Sequence, residues 1–365
     1  MKTLLCFLLI VSFFAPRLDA APFRLGIVGL EHGHVDGFLA EALSRSDIEV
    51  VGVVEPKAAL AADYAERLTI PTELLFSDLD EMLVNAKPEG VAVFTSTFAH
   101  KDVVEVCAKR RVDVMMEKPL AVSMEHARVM RDAVERDPIR VLVNYETTWY
   151  PSHELARALT LDQRAVGDIR KIVVRDGHQG PQEIGCPESF LSWLTDPKLN
   201  GGGALMDFGC YGANLATWLL EGKRPRAVSA ITHQWKPSIY PNVDDDATIL
   251  VSYSDADVVI QASWNWPFGR KDMDIYGVKG AIEVIDRTTL RVRDSHGRTR
   301  SLDPAPLKPN YSEPLSYFAA VVRGEIPEHP LSSFETNLVV TEILDAARES
   351  ARTQRSVSLP AKAPW

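Results

Sequence analysis

The sequence is short of cysteine, of surplus positive charge and of long apolar runs, and each shortage excludes a class of protein. Its 365 residues include four cysteines, too few for a disulfide-stabilised scaffold. Lys and Arg number 40 against 50 Asp and Glu, so nucleic acid is not an expected partner, because no surplus of cations exists to displace counterions from phosphate. Hydrophobic residues make up 46% and charged residues 25%, which excludes an intrinsically disordered chain.

One apolar run stands out near the start, at Leu4–Ala15. It is shorter than the roughly 20 residues of a membrane-spanning helix but suits the core of a signal peptide. Pro16 breaks the run, and Ala20 offers a small residue for cleavage. Residues 1–20 are therefore predicted to be a signal peptide, which makes the protein periplasmic or secreted, without a membrane anchor after cleavage. A buried first strand or helix is the alternative, and no twin-arginine signal is visible.

Cleavage at this point would leave the three cysteines Cys107, Cys186 and Cys210. An odd number outside the cytoplasm allows at most one intramolecular disulfide. Cys107 lies in an apolar helical stretch and is interpreted as a small buried residue. A bond between Cys186 and Cys210 stays open.

Short β-branched runs alternate with amphipathic helical stretches in the first part of the mature chain. Near-continuous apolar strands separated by helices are typical of a parallel sheet covered on both faces. We therefore predict an α/β, doubly wound Rossmann domain over residues 21–147. Its strands are predicted at 23–29, 48–55, 90–96, 112–118 and 139–145.

After Pro151 the pattern changes to consecutive strands with few helices. This predicts an α+β second domain with a mostly antiparallel sheet over residues 148–365. Its helices are predicted at 204–220, 312–323 and 334–352, with a hairpin turn at 253–257. The predicted strands are 226–236, 247–254, 257–266, 272–277 and 280–285.

The first motif is a glycine-containing loop that joins the first strand to a helix. Glycines there allow a tight turn and a close approach to a pyrophosphate at the helix N-terminus. The usual pattern requires glycine at position 31, where this chain has a glutamate. Alone, the motif leaves a nucleotide site and a simple tight turn as equal alternatives. Its candidate cofactor residues are Gly26, Gly29, Glu31, His32, Gly33 and His34.

Glu55 ends the second predicted strand. An acidic residue at this place can accept hydrogen bonds from the ribose hydroxyls and repels a 2′-phosphate. NAD is therefore expected as cofactor, with NADP less favoured. A solvated glutamate at a strand end is the alternative interpretation.

Two further motifs carry candidate chemistry. Glu117 and Lys118, followed by a proline, end the predicted strand at 112–118, at the sheet edge where open α/β sheets bind ligands. A lysine there can stabilise a developing alkoxide.

Asp207 and Tyr211 are four residues apart and so share one face of the predicted helix. A nearby ammonium favours the phenolate, so Tyr211 beside Lys118 is expected to take a proton from a secondary alcohol.

Together these motifs resemble the glucose–fructose oxidoreductase, inositol 2-dehydrogenase and rhizopine-catabolism (Gfo/Idh/MocA) family over residues 23–359. The strongest marks are Glu117-Lys118-Pro119 and the glycine run before Asp207, supported by Val243–Asp246. The resemblance implies that Lys118 contacts nicotinamide ribose and substrate, that Tyr211 is the acid/base and that Asp207 orients the substrate. The remaining cofactor residues implied are Thr95, Ser96, Thr97, His100, Glu117 and Asn144.

The leading hypothesis is an exported NAD(P)-dependent oxidoreductase of a sugar, polyol or glycoside, with no metal, self-associating through the second-domain sheet. Because free dinucleotide is expected to be scarce outside the cytoplasm, the cofactor is predicted to be retained and recycled. A glycosidase that uses NAD for oxidation, elimination, hydration and reduction is one alternative. A non-catalytic sugar-binding protein and a cofactor-free pseudoenzyme are the others. The sugar, the reaction direction and the oligomeric state stay open.

Overall fold

The computed structural model describes residues 21–362. The predicted signal peptide, its cleavage site and Cys6 lie outside these described residues. Within them, no helix is both long enough and apolar enough to cross a membrane. Cys107, Cys186 and Cys210 are all free thiols, so the open question of a Cys186–Cys210 bond is answered in favour of two separate side chains.

A six-stranded parallel sheet forms the first domain, with the order β3-β2-β1-β4-β5-β6. This confirms the predicted doubly wound fold. The two-residue strand β3 was not predicted, because so short a segment carries no pattern of its own. The strands are β1 Phe23–Val28, β2 Ile48–Val54, β3 Leu75–Phe76, β4 Gly90–Val93, β5 Asp113–Glu117 and β6 Val141–Asn144.

Five helices connect these strands. Two of them begin at side chains that accept a hydrogen bond from the first turn: Asp78 accepts from the amide of Glu81, and Ser123 from that of His126. Such caps satisfy amides that a helix start leaves open. The helices are α1 Val35–Ser44, α2 Ala58–Leu68, α3 Leu79–Ala86, α4 His100–Arg110 and α5 Met124–Arg136.

The second domain is built on a nine-stranded sheet with the order β14-β13-β12-β11-β7-β10-β9-β8-β15. All its strand pairs are antiparallel except β7 with β10, which confirms the mostly antiparallel prediction. The central strand β7 was missed. The strands are β7 Ile169–Gly177, β8 Ala227–His233, β9 Asp246–Ser252, β10 Asp257–Ser263, β11 Arg270–Gly277, β12 Gly280–Val284, β13 Leu290–Asp294, β14 Thr299–Leu302 and β15 Val357–Ser358.

Helices cover one face of this sheet. The closest approach is at Gly212, where a Cβ atom would come within 2.6 Å of Ile260 on β10, so only glycine fits. The opposite face exposes apolar side chains such as Ile231 (63%) and Leu250 (40%). The helices are α6 Pro151–Arg157, α7 Glu188–Leu194, α8 Ala204–Asp207, α9 Gly209–Leu219, α10 Pro314–Val322 and α11 Phe334–Thr353.

The single helix predicted over 204–220 is wrong: it is divided at Phe208 into α8 and α9. The carbonyl of Asp207 accepts hydrogen bonds from Lys118 Nζ at 3.2 Å and from Cys210 Sγ at 3.3 Å. The amide of Tyr211 turns instead to the carbonyl of Phe208 at 3.2 Å. Lys118, a side chain of the first domain, thus occupies a backbone carbonyl of the helix and interrupts the helical hydrogen-bond pattern.

The end of the chain returns to the first domain. Phe318 on α10 packs edge-on against Phe23 on β1, with ring centroids 5.6 Å apart. Leu315 and Val321 of the same helix are buried in the apolar cluster that contains the inner strands. The two domains are therefore joined by packing as well as by the connection near residue 147.

Candidate active site

The predicted site residues gather at the carboxyl ends of the parallel strands. Strands β1 and β4 are neighbours in the sheet, and the strand order reverses direction between them. Open α/β sheets bind ligands in the crevice outside this point. The glycine loop follows β1, Glu55 follows β2, Thr95 follows β4, and Lys118 follows β5.

Gly29 is required by the packing of the glycine loop. Its φ is +84°, and a Cβ atom there would lie 2.8 Å from the backbone nitrogen of Thr95. Gly33 is different, because its Cβ position has no atom closer than 3.7 Å, on Phe190 of the second domain. Gly29 thus fixes the turn, whereas Gly33 leaves room within it.

Several amides of this loop bind the protein itself. Leu30 donates to Glu55 Oε2 at 2.9 Å, and His32 donates to the carbonyl of Phe94 at 3.1 Å. The amide of His34 donates to Nδ1 of His32 at 3.1 Å. A pyrophosphate normally meets free amides at this place, so the centre of the crevice departs from the usual cradle.

Glu55 and Glu31 lie at the end of the crevice where the adenosine of a dinucleotide is expected, and both carboxylates have bonding partners within the protein. Glu55 is 4% exposed and accepts amides from Leu30 and Lys57, each at 2.9 Å. Burial raises the pKa of Glu55, and these amide bonds oppose the rise. Glu31 forms an ion pair with Lys57. This pair balances the charge of Glu31 and engages the ammonium of Lys57.

The turn after β4 faces partly inward. Thr97 donates its hydroxyl to Asn200 Oδ1 at 3.1 Å, and Ser96 is buried. His100 Nδ1 lies 3.1 Å from the carbonyl of Leu120, and burial lowers the pKa of His100 to about 4. Thr95 is the most open of these residues. The structure thus places His100 against its own backbone, and cofactor contact by this turn stays a prediction.

Glu117 and Asn144 form a buried polar chain across β5 and β6. Asn144 donates to Glu117 Oε1 at 3.0 Å and accepts from Trp149 Nε1 at 3.1 Å. Glu117 Oε2 lies 3.1 Å from His34 Nδ1. Burial alone would raise the pKa of Glu117, but the contacts with His34, His32 and Lys118 together outweigh it and hold the pKa at about 2. Glu117 is therefore an ionised carboxylate inside the fold.

Lys118 and Asp207 form a buried ion pair between the two domains. Asp207 also accepts Trp264 Nε1 at 2.9 Å, so both carboxylate oxygens are bonded. Burial alone would lower the pKa of Lys118 and raise that of Asp207, but their mutual attraction outweighs it. Lys118 is therefore held as an ammonium. Trp264 is a site residue that the sequence did not indicate.

Tyr211 lies beside this pair, but Lys118 contacts the face of its ring, with Nζ 5.4 Å from the centroid. Phe208 stacks on the ring and Tyr145 packs against its edge. Burial, followed by nearby carboxylates, raises the pKa of Tyr211 well above its ordinary value. The expectation that Lys118 favours the phenolate is therefore wrong for this structure, because burial and acidic neighbours outweigh the ammonium. Tyr211 is a neutral phenol.

A cavity of about 710 Å³ opens beside Phe208 and Lys271, which contact the Tyr211 ring; Lys118, Asp207 and Tyr211 are not among its lining residues. Its wall combines residues that follow β6 of the first domain with residues of β7, β11 and β12 in the second-domain sheet. Lys271 Nζ lies 4.8 Å from the Tyr211 ring centroid and forms an ion pair with Glu146. Lys271 is the second residue of β11 and belongs to no recognisable motif. The sequence therefore contains no indication that it lies at the site. The lining includes Glu146, Tyr150, His178, Phe208, Arg270 and Lys271.

The aspartate cluster at 243–246 supports the glycine run. Asp244 accepts the amides of Gly203 and Leu205 at 2.9 and 2.7 Å, which caps the start of α8. Asp245 accepts the amides of Trp235 and Lys236 at 2.9 and 2.6 Å. The aspartate cluster therefore holds the loop that leads to Asp207 in its folded position.

Comparison with known families decides the identity of this arrangement. Residues 23–145 match the oxidoreductase family with an NAD-binding Rossmann fold, and residues 155–283 match the GFO/IDH/MocA C-terminal domain. The chain belongs to the GFO/IDH/MocA family. The predicted resemblance, the oxidoreductase class and NAD as cofactor are confirmed by this membership.

Relatives and solved structures match most of the length of this GFO/IDH/MocA chain. A trans-1,2-dihydrobenzene-1,2-diol dehydrogenase from Xenopus tropicalis is 26% identical over 316 residues, 84% of this chain and 90% of the relative. An aldose-aldose oxidoreductase from Caulobacter crescentus, complexed with glycerol, has a TM-score of 0.77 at 22% identity, covering 93% and 100% of the two chains. An inositol dehydrogenase homolog from Azotobacter vinelandii, complexed with NAD⁺, has a TM-score of 0.79 at 20% identity, covering 93% and 98%.

The residues of this GFO/IDH/MocA chain fit NAD at both ends of the crevice. A carboxylate has about four lone-pair sites, so Glu55 keeps acceptor capacity for ribose hydroxyls beside its two amide bonds. At the other end, Lys118 is a fixed cation at the domain junction. Between them the loop amides are engaged within the protein, which leaves the pyrophosphate segment with fewer donors than the usual motif supplies.

Proposed function

We propose that this protein is an exported oxidoreductase that removes hydride from a secondary alcohol of a sugar, polyol or glycoside and recycles a retained NAD. The observation that carries the proposal is the meeting of Lys118, Asp207 and Tyr211 next to Phe208 and Lys271, two residues that line the cavity. Its volume of about 710 Å³ falls within the usual range of about 300–1,000 Å³ for small-molecule sites.

NAD, when bound, supplies the hydride acceptor and, once reduced, the hydride donor. Glu55 would hold the adenosine ribose, and Lys118 would contact the nicotinamide ribose and the substrate oxygen. The acceptor oxygens of Asp207 are both engaged, so Asp207 acts by keeping Lys118 charged and in place. A fixed ammonium stabilises the negative charge that develops on the substrate oxygen.

Tyr211 is assigned the proton transfer. Its phenol is the donor form, because burial raises its pKa, and this form suits reduction of a carbonyl to an alcohol. Oxidation needs the phenolate. We therefore expect oxidation rates to rise with pH, whereas reduction rates should not. Both half-reactions occur in a cycle that keeps its cofactor.

The relatives support the substrate class. One is named for a diol, one for aldoses with glycerol bound, and one for inositol. All of these molecules carry neighbouring hydroxyl groups. The cavity offers both acceptors, such as Glu146, and donors, such as Lys271 and His178, as recognition of several hydroxyls requires.

Export and retention of the cofactor form one hypothesis. The apolar run Leu4–Ala15 and the small residue Ala20 support secretion through a cleaved signal peptide. An enzyme outside the cytoplasm would lack a supply of free dinucleotide. A tightly held NAD removes that need, and it also stabilises the folded chain because only the native state binds it.

The test starts with protein purified from its native compartment. Mass spectrometry of the intact, native protein should detect bound dinucleotide. Turnover is then followed with candidate sugars and glycosides, by mass spectrometry of the products and by the absorbance of NADH. Oxidised and reduced sugars formed in equal amounts, without free NADH, support recycling. Stoichiometric release of free NADH contradicts recycling, and glycoside cleavage without net redox change would identify the glycosidase alternative.

A further inference from the structure

The two histidines of the glycine loop have no role in the proposed function. The fold brings both of them to Glu117 at the end of β5. Glu117 Oε2 lies 3.1 Å from His34 Nδ1 and 3.9 Å from His32 Nε2, and one ligand atom from each of the three residues lies within 4.8 Å of the other two.

His32 supplies an independent sign that a ligand is missing. Its side chain is 2% exposed, and among residues 21–362 no hydrogen-bond partner is found for Nε2. Buried polar atoms are almost always bonded. This nitrogen is directed toward the oxygen of Glu117 but remains too far from it for a hydrogen bond.

The three side chains are held in place by their surroundings. The His32 ring packs against Phe190 and Trp193 of α7, with centroids 4.6 and 5.6 Å apart. Asn144 binds Glu117 Oε1 at 3.0 Å, which leaves Oε2 to face the histidines. Support of this kind, from residues behind the ligands, is typical of metal sites.

We propose that His32 Nε2, His34 Nδ1 and Glu117 Oε2 bind one divalent metal ion of the zinc class. Two imidazoles and one carboxylate form a ligand set of catalytic zinc sites, whereas Mg²⁺ and Ca²⁺ prefer oxygen ligands throughout. The His34 side chain is 54% exposed, so the ion would be reached from the crevice. Three protein ligands leave a coordination position open for water or a substrate oxygen.

Binding of the ion requires two local changes. The ring proton of His32 must sit on Nδ1, so the hydrogen bond that Nδ1 now accepts from the amide of His34 at 3.1 Å has to open. His34 Nδ1 must carry no proton, so its hydrogen bond to Glu117 Oε2 is replaced by bonds from both atoms to the ion. Gly33 separates the two histidines, and its open surroundings allow the adjustment. Loss of two hydrogen bonds is small beside the formation of metal–ligand bonds. The amide of His34 should therefore exchange with solvent faster in the metal-bound protein.

The test uses the full mature chain, freed of metal with a chelator. Titration calorimetry with ZnCl₂ should show one ion per chain, and CoCl₂ should give visible absorption bands of a nitrogen- and oxygen-bound ion. In His34→Ala, Zn²⁺ affinity should fall at least about 100-fold, since even residues that only orient a ligand contribute about 10–100-fold. His34 is exposed, so this variant should keep its fold. The matched control is His296→Ala, which removes an exposed histidine at a distant turn and should leave affinity unchanged.

Two results would overturn the metal site. One is wild-type protein that binds neither Zn²⁺ nor Co²⁺ with one-to-one stoichiometry. The other is equal Zn²⁺ affinity in wild type and His34→Ala, with both variants shown to be folded by thermal unfolding. The readout involves neither NAD nor turnover, so failure of the metal site is distinguishable from failure of the proposed oxidoreductase function.

Discussion

Glu117 and Lys118 are consecutive residues at the end of β5, yet they belong to two different kinds of cluster. Lys118 reaches across to the second domain, where Asp207 and Trp264 complete a set in which each charged atom is bonded. Glu117 stays within the first domain and faces His32, whose Nε2 has no partner among the described residues. Lys118 thus meets its partners only when both domains come together. The polar groups around His32 come from the first domain, to which the second adds the apolar rings of Phe190 and Trp193, and one position stays open.

Tyr211→Phe should produce the largest change and should confine it to the substrate side. Removal of the hydroxyl is expected to lower kcat by roughly 10²–10⁴-fold, because general acid–base catalysis contributes about that much. The affinity for NAD, measured by calorimetry, should change little. The matched control is Tyr145→Phe, since the Tyr145 ring packs against Tyr211. Wild-type turnover in Tyr211→Phe would remove this residue from the mechanism.

Lys118→Met should break the link between the domains. It leaves Asp207 charged and buried without its partner, which is expected to lower the free energy of unfolding by about 3–5 kcal/mol. Urea unfolding measures the loss. The double variant Lys118→Met/Asp207→Asn should recover part of it, because no unpaired charge remains.

Lys271→Met is the control for that experiment. Its ion pair with Glu146 also crosses between the domains, but the glutamate side chain is 46% exposed. Exposed pairs contribute about 0–1 kcal/mol, so this variant should unfold almost as wild type does. A loss as large as that of Lys118→Met would show that burial is not what distinguishes the two pairs.

Acid should weaken the packing around His100 before it breaks the Lys118–Asp207 pair. The pKa of His100 falls from 6.5 to about 4 in the folded state, so the unfolded chain takes up a proton first as the pH drops through this window. Stability should decrease by about 3 kcal/mol between about pH 6.5 and 4 through this residue. The pKa of Asp207 is lowered from 3.8, so its contribution is lost only below that pH.

His100→Asn tests this prediction by urea unfolding at several pH values. Asparagine keeps a donor for the carbonyl of Leu120 but does not titrate. The variant should lose less stability between neutral pH and about pH 4 than wild type does. The same pH dependence in both proteins would show that His100 is not the group responsible.

Glu31→Gln should give the smallest effect and concerns only the adenosine end. Wild type should prefer NAD over NADP by at least about 1–2 kcal/mol, the size of a like-charge penalty between Glu55 and a 2′-phosphate. Loss of the Glu31 charge frees Lys57 and should reduce this margin. Calorimetric titration with both dinucleotides measures it, and an unchanged margin would show that the Glu31–Lys57 pair does not control the choice.

Local patterns allowed much of the first domain to be predicted. The strands around β1, β2, β4, β5 and β6 carry continuous apolar runs, because both faces of a parallel sheet are buried. The family motifs likewise lie in short segments, so Lys118, Asp207 and Tyr211 could be selected together. The export signal, self-association and the roles of the individual cofactor residues stay predictions.

By itself, the sequence determined the doubly wound class of the first domain and the family, since these depend on neighbouring residues and fixed spacings. Only the tertiary structure decided the break at Phe208, where Lys118 reaches a carbonyl 89 residues away. It also decided the neutral state of Tyr211 and the meeting of His32 and His34 with Glu117. All three depend on burial and on charged groups from distant parts of the chain. The local sequence around a residue encodes neither its burial nor those distant charges.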